Sequence, residues 1–157
     1  KFENMPNIIF NYRFWIALLC AGALLLVSCK KTVDNISQGT LQSYFEDNIL
    51  NKDFVVELAT DSSVDITADY TGYSFILKKG STYDGPMTGV KNGVTYTGTW
   101  ASNEDYSKLT ININTPSVPD EFKFINRSWK FVRKSLPIME LSPWGTTDPK
   151  VLHMRRL

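Results

Sequence analysis

The chain predicts an all-β domain of about eight short antiparallel strands, closed as a barrel or stacked as a sandwich, behind a short N-terminal helix. Two observations carry this expectation. From Asp53 onward apolar residues alternate with polar ones at a period of two, the pattern of strands with one buried and one wet face. Turn residues punctuate the alternation at short intervals, Asn92-Gly93 being the strongest hairpin signal. Short, evenly spaced strands argue for a barrel or sandwich and against parallel α/β.

Residues 1–28 read as an export signal. Phe14 to Val27 is a run of fourteen uncharged, mostly apolar residues. A membrane-crossing helix needs roughly 20, whereas the apolar core of a secretory signal needs roughly 7–15 behind a positive flank. Arg13 supplies that charge, and Met5 reads as a start with Lys1 to Asn4 upstream of it. The run closes on Leu26-Val27-Ser28-Cys29, which resembles the lipobox of bacterial lipoproteins. The resemblance implies cleavage before Cys29, acylation of its thiol, and a stable tether, because two or more buried acyl chains such as palmitate hold where one binds reversibly. Cys20 would leave with the signal, so the mature domain would contain no thiol and depend on its core for stability. Residues 29–157 are enough to bury about two-thirds of the unfolded surface in one domain.

Residues 29–39, polar and patternless, suit a linker, and 40–157 form the folded domain. Thr40 is placed to cap a short helix with Leu41, Tyr44, Phe45 and Ile49 on one face, packed across an end of the sheet. The inward strand positions are then Phe54, Val56 and Leu58; Tyr73, Phe75 and Leu77; Val94, Tyr96, Gly98 and Trp100; and Leu109, Ile111 and Ile113. Further strands fall at Trp129–Lys134, Ile138–Leu141 and Val151–Arg156. One around Ser81–Val90 carries Gly85-Pro86, the mark of an edge, bulge or bend. Tyr73, Phe75, Tyr96, Trp100, Trp129 and Phe131 all point inward, and six rings of ~150–250 Å² each fill much of an eight-stranded interior. The expected interior is therefore largely solid, with any ligand site a shallow depression at one rim.

The runs Tyr70-Thr71-Gly72-Tyr73-Ser74-Phe75, Tyr96-Thr97-Gly98-Thr99-Trp100, Leu109-Thr110-Ile111-Asn112-Ile113, Trp129-Lys130-Phe131-Val132 and Val151-Leu152-His153-Met154, in that order, resemble the small lipocalin-like lipoproteins of Bacteroidota-type bacteria. The likeness covers most of residues 53–157. It implies an eight-stranded antiparallel lipocalin-like (calycin-like) barrel or half-barrel and no settled activity. The Gly-x-Trp of extracellular lipocalins belongs to the first strand, while Gly98-Thr99-Trp100 lies in a middle one, so that motif's role does not transfer.

Nothing in the sequence assembles a catalytic machine. His153 is the lone histidine, in the last strand, and no Gly-x-Ser-x-Gly or phosphate-cradling glycine loop occurs. Asp61, Asp65 and Asp69 sit in a loop without the alternate spacing and glycine of a calcium site. The adjacent pairs Asp120-Glu121 and Glu104-Asp105 would point to opposite faces. No catalytic residue, metal or cofactor is expected. The mature chain would be neutral, with 15 basic and 15 acidic side chains once Lys1, Arg13 and Glu3 are removed, which argues against nucleic acid. Its charge is uneven, with five basic and twelve acidic residues over 41–121 against eight and two over 122–157. That asymmetry either helps the last strands pair or forms a basic partner face. Trp144, in the broken loop Ser142–Pro149, either closes the barrel mouth or contacts a partner or apolar ligand. Trp100, Tyr96 and Trp129 are the other candidate contacts. The expected function is a non-enzymatic, membrane-anchored envelope lipoprotein at the outer membrane or periplasmic side, binding a small apolar or amphipathic ligand or a protein partner. The alternative is an adhesin or accessory subunit with a purely interaction role, and a hydrolase with an unrecognised site is a third.

Overall fold

The computed structural model describes residues 39–133 and 136–157. The stretch expected to be an export signal, with Cys29, lies outside them. The first element is helix α1 (39–48). Strands β1 (Asp53–Asp61) and β2 (Val64–Asp65) precede a 3-10 turn at Thr67–Tyr70, followed by β3 (Ser74–Leu77), β4 (Asp84–Lys91), β5 (Val94–Ser102) and β6 (Lys108–Thr115). A short helix α2 (Phe122–Ile125) leads into β7 (Ser128–Arg133), β8 (Ile138–Pro143) and β9 (Lys150–Arg156). Successive strands pair antiparallel in the order β1-β3-β4-β5-β6-β7-β8-β9, and β9 returns to β1, from Phe54↔Arg156 to Asp61↔Lys150. Eight strands therefore close a barrel, and β2 extends β1 as a small hairpin. Closure satisfies the edges that an open sheet would expose.

Period-two alternation places the core as expected over β3, β5 and β6: Tyr73, Phe75, Leu77, Trp100, Leu109, Ile111 and Ile113 are all buried. It fails in β1. A register shift between Val56 and Leu58 reverses the phase, so Ala59 is fully buried while Leu58 turns outward. Val94, at the tip of the β4–β5 hairpin, is exposed, and Asn92 (φ 51°) with Gly93 (φ 78°) make the turn read from the sequence. Gly85-Pro86 does not mark an edge, because β4 pairs with β5 along its whole length and with β3 from Met87 to Val90. The carbonyl of Pro86 accepts Lys78 N–H (2.8 Å), so its ring nitrogen faces the same side, just beyond the end of β3, where no ladder donor is needed.

Each end of the barrel is closed by aromatic side chains. At one, α1 delivers Phe45 onto Trp100, Tyr106 and Phe131 at centroid separations of 5.5, 4.7 and 6.3 Å. Thr40 is already helical rather than a cap, and Tyr44 faces outward, so the apolar seam is Leu41, Phe45, Ile49 and Leu50. Asn51 N–H donates to Leu77 O (2.7 Å), fastening the helix exit to the end of β3. At the other end, α2 inserts Phe122 among Tyr73, Phe75 and Tyr96, with centroids 5.1 to 6.0 Å apart. A Cβ at Gly89 would meet the Phe75 ring at 3.0 Å, so this glycine makes the room that Phe75 and Phe122 occupy. The strap carrying α2 is held by polar contacts. Tyr70 and Tyr73 hydroxyls donate to the Glu121 carbonyl (2.5 Å) and carboxylate (2.8 Å), and the Asn126 side-chain amide bonds both N–H and C=O of Ile113 (2.8 Å each).

Gly98 marks the tightest strand crossing, since a Cβ there would lie 1.9 Å from Asn112 O. Gly98→Ala should therefore lower stability by about 2 kcal/mol or more, as overpacked core positions do. Urea denaturation reads this as a reduced midpoint at unchanged slope; an unaltered midpoint would mean that β5 and β6 separate freely.

Candidate functional site

The four aromatic candidates separate into two kinds. Trp100 and Trp129 are fully buried, and their indole N–H groups are spent on backbone carbonyls, Trp100 on Lys78 O (2.8 Å) and Trp129 on Ile125 O (2.9 Å). They are packing residues. Tyr96 is half-buried at the rim closed by α2, in ring contact with Tyr73 (6.0 Å) and Phe122 (5.1 Å). Trp144 stands apart from these three. Pro143 before it is buried, so the chain's alternation turns Trp144 to the outside of the wall, where it is 38% exposed. Its backbone N–H donates to Ser128 O (3.0 Å), and Lys108 Nζ stands 5.7 Å from its ring centroid. Trp144 therefore does not close the mouth. It lies on the outer wall of β6–β8.

An open depression adjoins it, lined by Lys130, Ser142, Pro143, Gly145, Thr146, Thr147 and Asp148. Gly145 adopts φ 72°, which turns the chain sharply after the tryptophan. Among the described residues, open depressions also lie over Gly80, Gly85, Gly98 and Trp100 and beside Lys91, Asp120 and Glu121. The sequence singled out Trp144 but not its lysine neighbours, because strand pairing, not chain spacing, brings Lys108 to it.

The titratable groups take structural duties. Asp61 pairs with Lys150, which holds its carboxyl below the usual range, aided by the Ser62 hydroxyl. Asp65 accepts Thr67 N–H and is likewise lowered by that residue's bonds. Asp120 is lowered by Lys123. Burial raises the Tyr70 and Tyr73 phenols, and the Glu121 carboxylate reinforces the shift at Tyr73, so both hydroxyls remain protonated donors on the strap. His153 faces outward on β9, half-buried, opposite Glu140 and Leu58. Among the described residues no cluster of three or more His, Cys, Asp or Glu side chains is arranged to hold a metal, and no helix is long and apolar enough to cross a membrane.

No family model and no curated protein sequence matches the chain. Among solved structures it is similar to a DUF4847 family protein from Bacteroides vulgatus, with 12% identity and a TM-score of 0.49, over 70% of this chain and 95% of that one.

Two outcomes follow from these placements. Trp144→Ala should change stability by less than about 1 kcal/mol, whereas Trp129→Ala should cost about 3–5 kcal/mol, both read by thermal or chemical denaturation. A severe loss at Trp144 would assign that ring to packing. The Asp61 carboxyl titrates lower in the fold than in the unfolded chain, where its pKa is about 3.9. Its stabilisation is thus complete above that value and lost as pH falls through the folded pKa. Melting temperatures from pH 6 down to pH 2 should fall more for the parent than for Asp61→Asn, and parallel curves would remove the ion pair from the account.

Proposed function

We propose that this chain is a lipid-anchored envelope lipoprotein whose barrel is a non-enzymatic interaction module, meeting its partner or ligand with the outer wall around Trp144. One observation carries the reading: the protein's own rings fill both ends of the interior, and buried aliphatic side chains such as Leu77, Ile111 and Met154 share the same core. Phe45 reaches Trp100, Tyr106 and Phe131 from one mouth, and Phe122 reaches Tyr73, Phe75 and Tyr96 from the other. A barrel that takes a small apolar guest inside keeps room for it; this one spends that room on packing. The balance between the two binding readings of the sequence therefore moves towards the adhesin or accessory-subunit role. The polar groups support the non-enzymatic part, because the carboxylates of Asp61 and Asp65 are each bonded to a structural neighbour, and Asp120, which borders the open depression beside Lys91, is tied to Lys123.

The tether rests on the lipobox-like Leu26-Val27-Ser28-Cys29 behind a fourteen-residue apolar run. Cys29→Ala in the full chain should abolish the mobility shift of the processed form and release the protein from sedimenting envelope vesicles. Unchanged processing and sedimentation of that variant would refute anchoring at this cysteine, leaving the reading of the outer wall to stand or fall by itself.

A further inference from the structure

The wall beside Trp144 carries a charge arrangement that stability alone does not favour. Lys108 on β6 and Lys130 on β7 are directly opposed in register, Lys108↔Lys130, and Ser142 of β8 continues the row opposite Lys130. Leu109, Trp129, Phe131 and Leu141 are buried, so by alternation Lys108, Lys130 and Ser142 all point to the outside. Like charges opposed across a ladder destabilise it. Elsewhere the barrel matches cations to carboxylates, as in Lys79–Glu46, Lys150–Asp61, Arg133–Glu140 and Arg155–Glu57. Among the described residues neither Lys108 nor Lys130 has such a partner. A position that breaks a local rule without an internal compensation is where function is sought.

The surroundings narrow the chemistry. Trp144 offers an exposed indole beside Lys108. The depression next to Lys130 presents Ser142, Thr146 and Thr147, and Asp148 lines it with one carboxylate. In the other direction the wall is free of charge. Thr110, hydrogen-bonded to Ser128 (2.8 Å), Asn112 and Asn114 point outward from β6, and Thr95, Thr97 and Thr99 from β5, with Thr99 opposite Asn112. Hydroxyl and amide rows beside an exposed indole and two ammonium groups without a carboxylate partner suit a chain that is itself rich in hydroxyls and carries anionic groups.

We propose that Lys108, Lys130 and Trp144 form a binding site for an acidic polysaccharide laid along the outer wall of β5–β8. The two lysines receive carboxylate or sulfate groups, the indole packs against a sugar ring face, and the Thr and Asn rows exchange hydrogen bonds with ring hydroxyls. An anionic bilayer is the less suitable occupant, because lipid-surface recognition uses clusters of four to eight basic residues with apolar insertion, and here two lysines sit among threonines and asparagines. This inference rests on the outer-wall reading above and names its ligand class.

Affinity electrophoresis of the full chain in detergent provides the test, through gels containing polygalacturonate, chondroitin sulfate or neutral dextran. Retardation is expected on at least one acidic polymer and not on dextran, diminishing as salt is raised. Lys108→Gln, Lys130→Gln and Trp144→Ala should each weaken it at least fivefold. Thermal melts of the same variants report folding, and Lys130→Gln should leave the melting temperature equal or higher because it removes one of two like charges opposed across the ladder. Absence of retardation on both acidic polymers, equal retardation on dextran, or retardation indifferent to all three replacements would overturn the proposal. Binding confined to phosphatidylglycerol vesicles would overturn it in favour of a lipid surface. Loss of a protein contact in Trp144→Ala, with no polysaccharide binding by the parent, would overturn the glycan assignment alone and leave the outer-wall reading in place.

Discussion

Everything in this fold follows from the pairing of β9 with β1. That ladder converts a meander of eight strands into a closed wall, and closure sorts each strand residue to one of two sides. Once the wall is closed, inward side chains must fill a fixed volume without voids, which is why large rings from β3, β5 and β7 meet rings from two helices outside the sheet. The bulge at Glu57 belongs to the same constraint. It shifts register within the closing ladder itself, and puts the small Ala59 rather than Leu58 inside.

The two plugs differ in how they are held, and the difference bears on function. Helix α1 is secured chiefly by apolar contacts of Phe45, Ile49 and Leu50, reinforced by backbone bonds at its exit. The α2 strap is secured by two tyrosine hydroxyls on Glu121 and by Asn126, whose amide copies a peptide group beside Ile113. Among the described residues both mouths are filled by aromatic side chains, and the outer-wall proposal puts recognition on the outside, where a barrel offers a rigid grid of side chains. On such a grid, register decides which residues become neighbours. Lys108 and Lys130 are far apart in the chain yet face each other across one ladder rung.

How much of this was legible depended on the range of the interactions involved. Alternation in Tyr73–Leu77 and Leu109–Ile113 revealed the inward faces because period two is a local property of the backbone. The phase change at Leu58 was not legible, since a bulge inserts a residue without leaving a compositional mark. Helix α2 is four residues long, too short for a 3.6-residue period to register, so Phe122, Phe124 and Ile125 gave no warning of the plug they form. Tyr106 was hidden for another reason: it sits at φ 51° in a loop, where a buried ring is not expected. At the candidate site the exposed Trp144 was visible from its broken loop. The inward phase of Trp100 and Trp129 was legible too, but not that their indole N–H groups are spent on the carbonyls of Lys78 and Ile125, which only tertiary placement brings near.

The Asn126 contact carries a consequence for how the wall breathes. Strands β6 and β7 share only the pairs from Lys108↔Lys130 to Thr110↔Ser128, and beyond them the Asn126 amide stands in for the missing strand partner. A side chain has rotamers that a peptide group lacks, so this seam can unzip from its open end without disturbing the β9–β1 closure. The Ile113 amide proton would then exchange with solvent through a local opening, well before global unfolding releases the β6 amides that face β5.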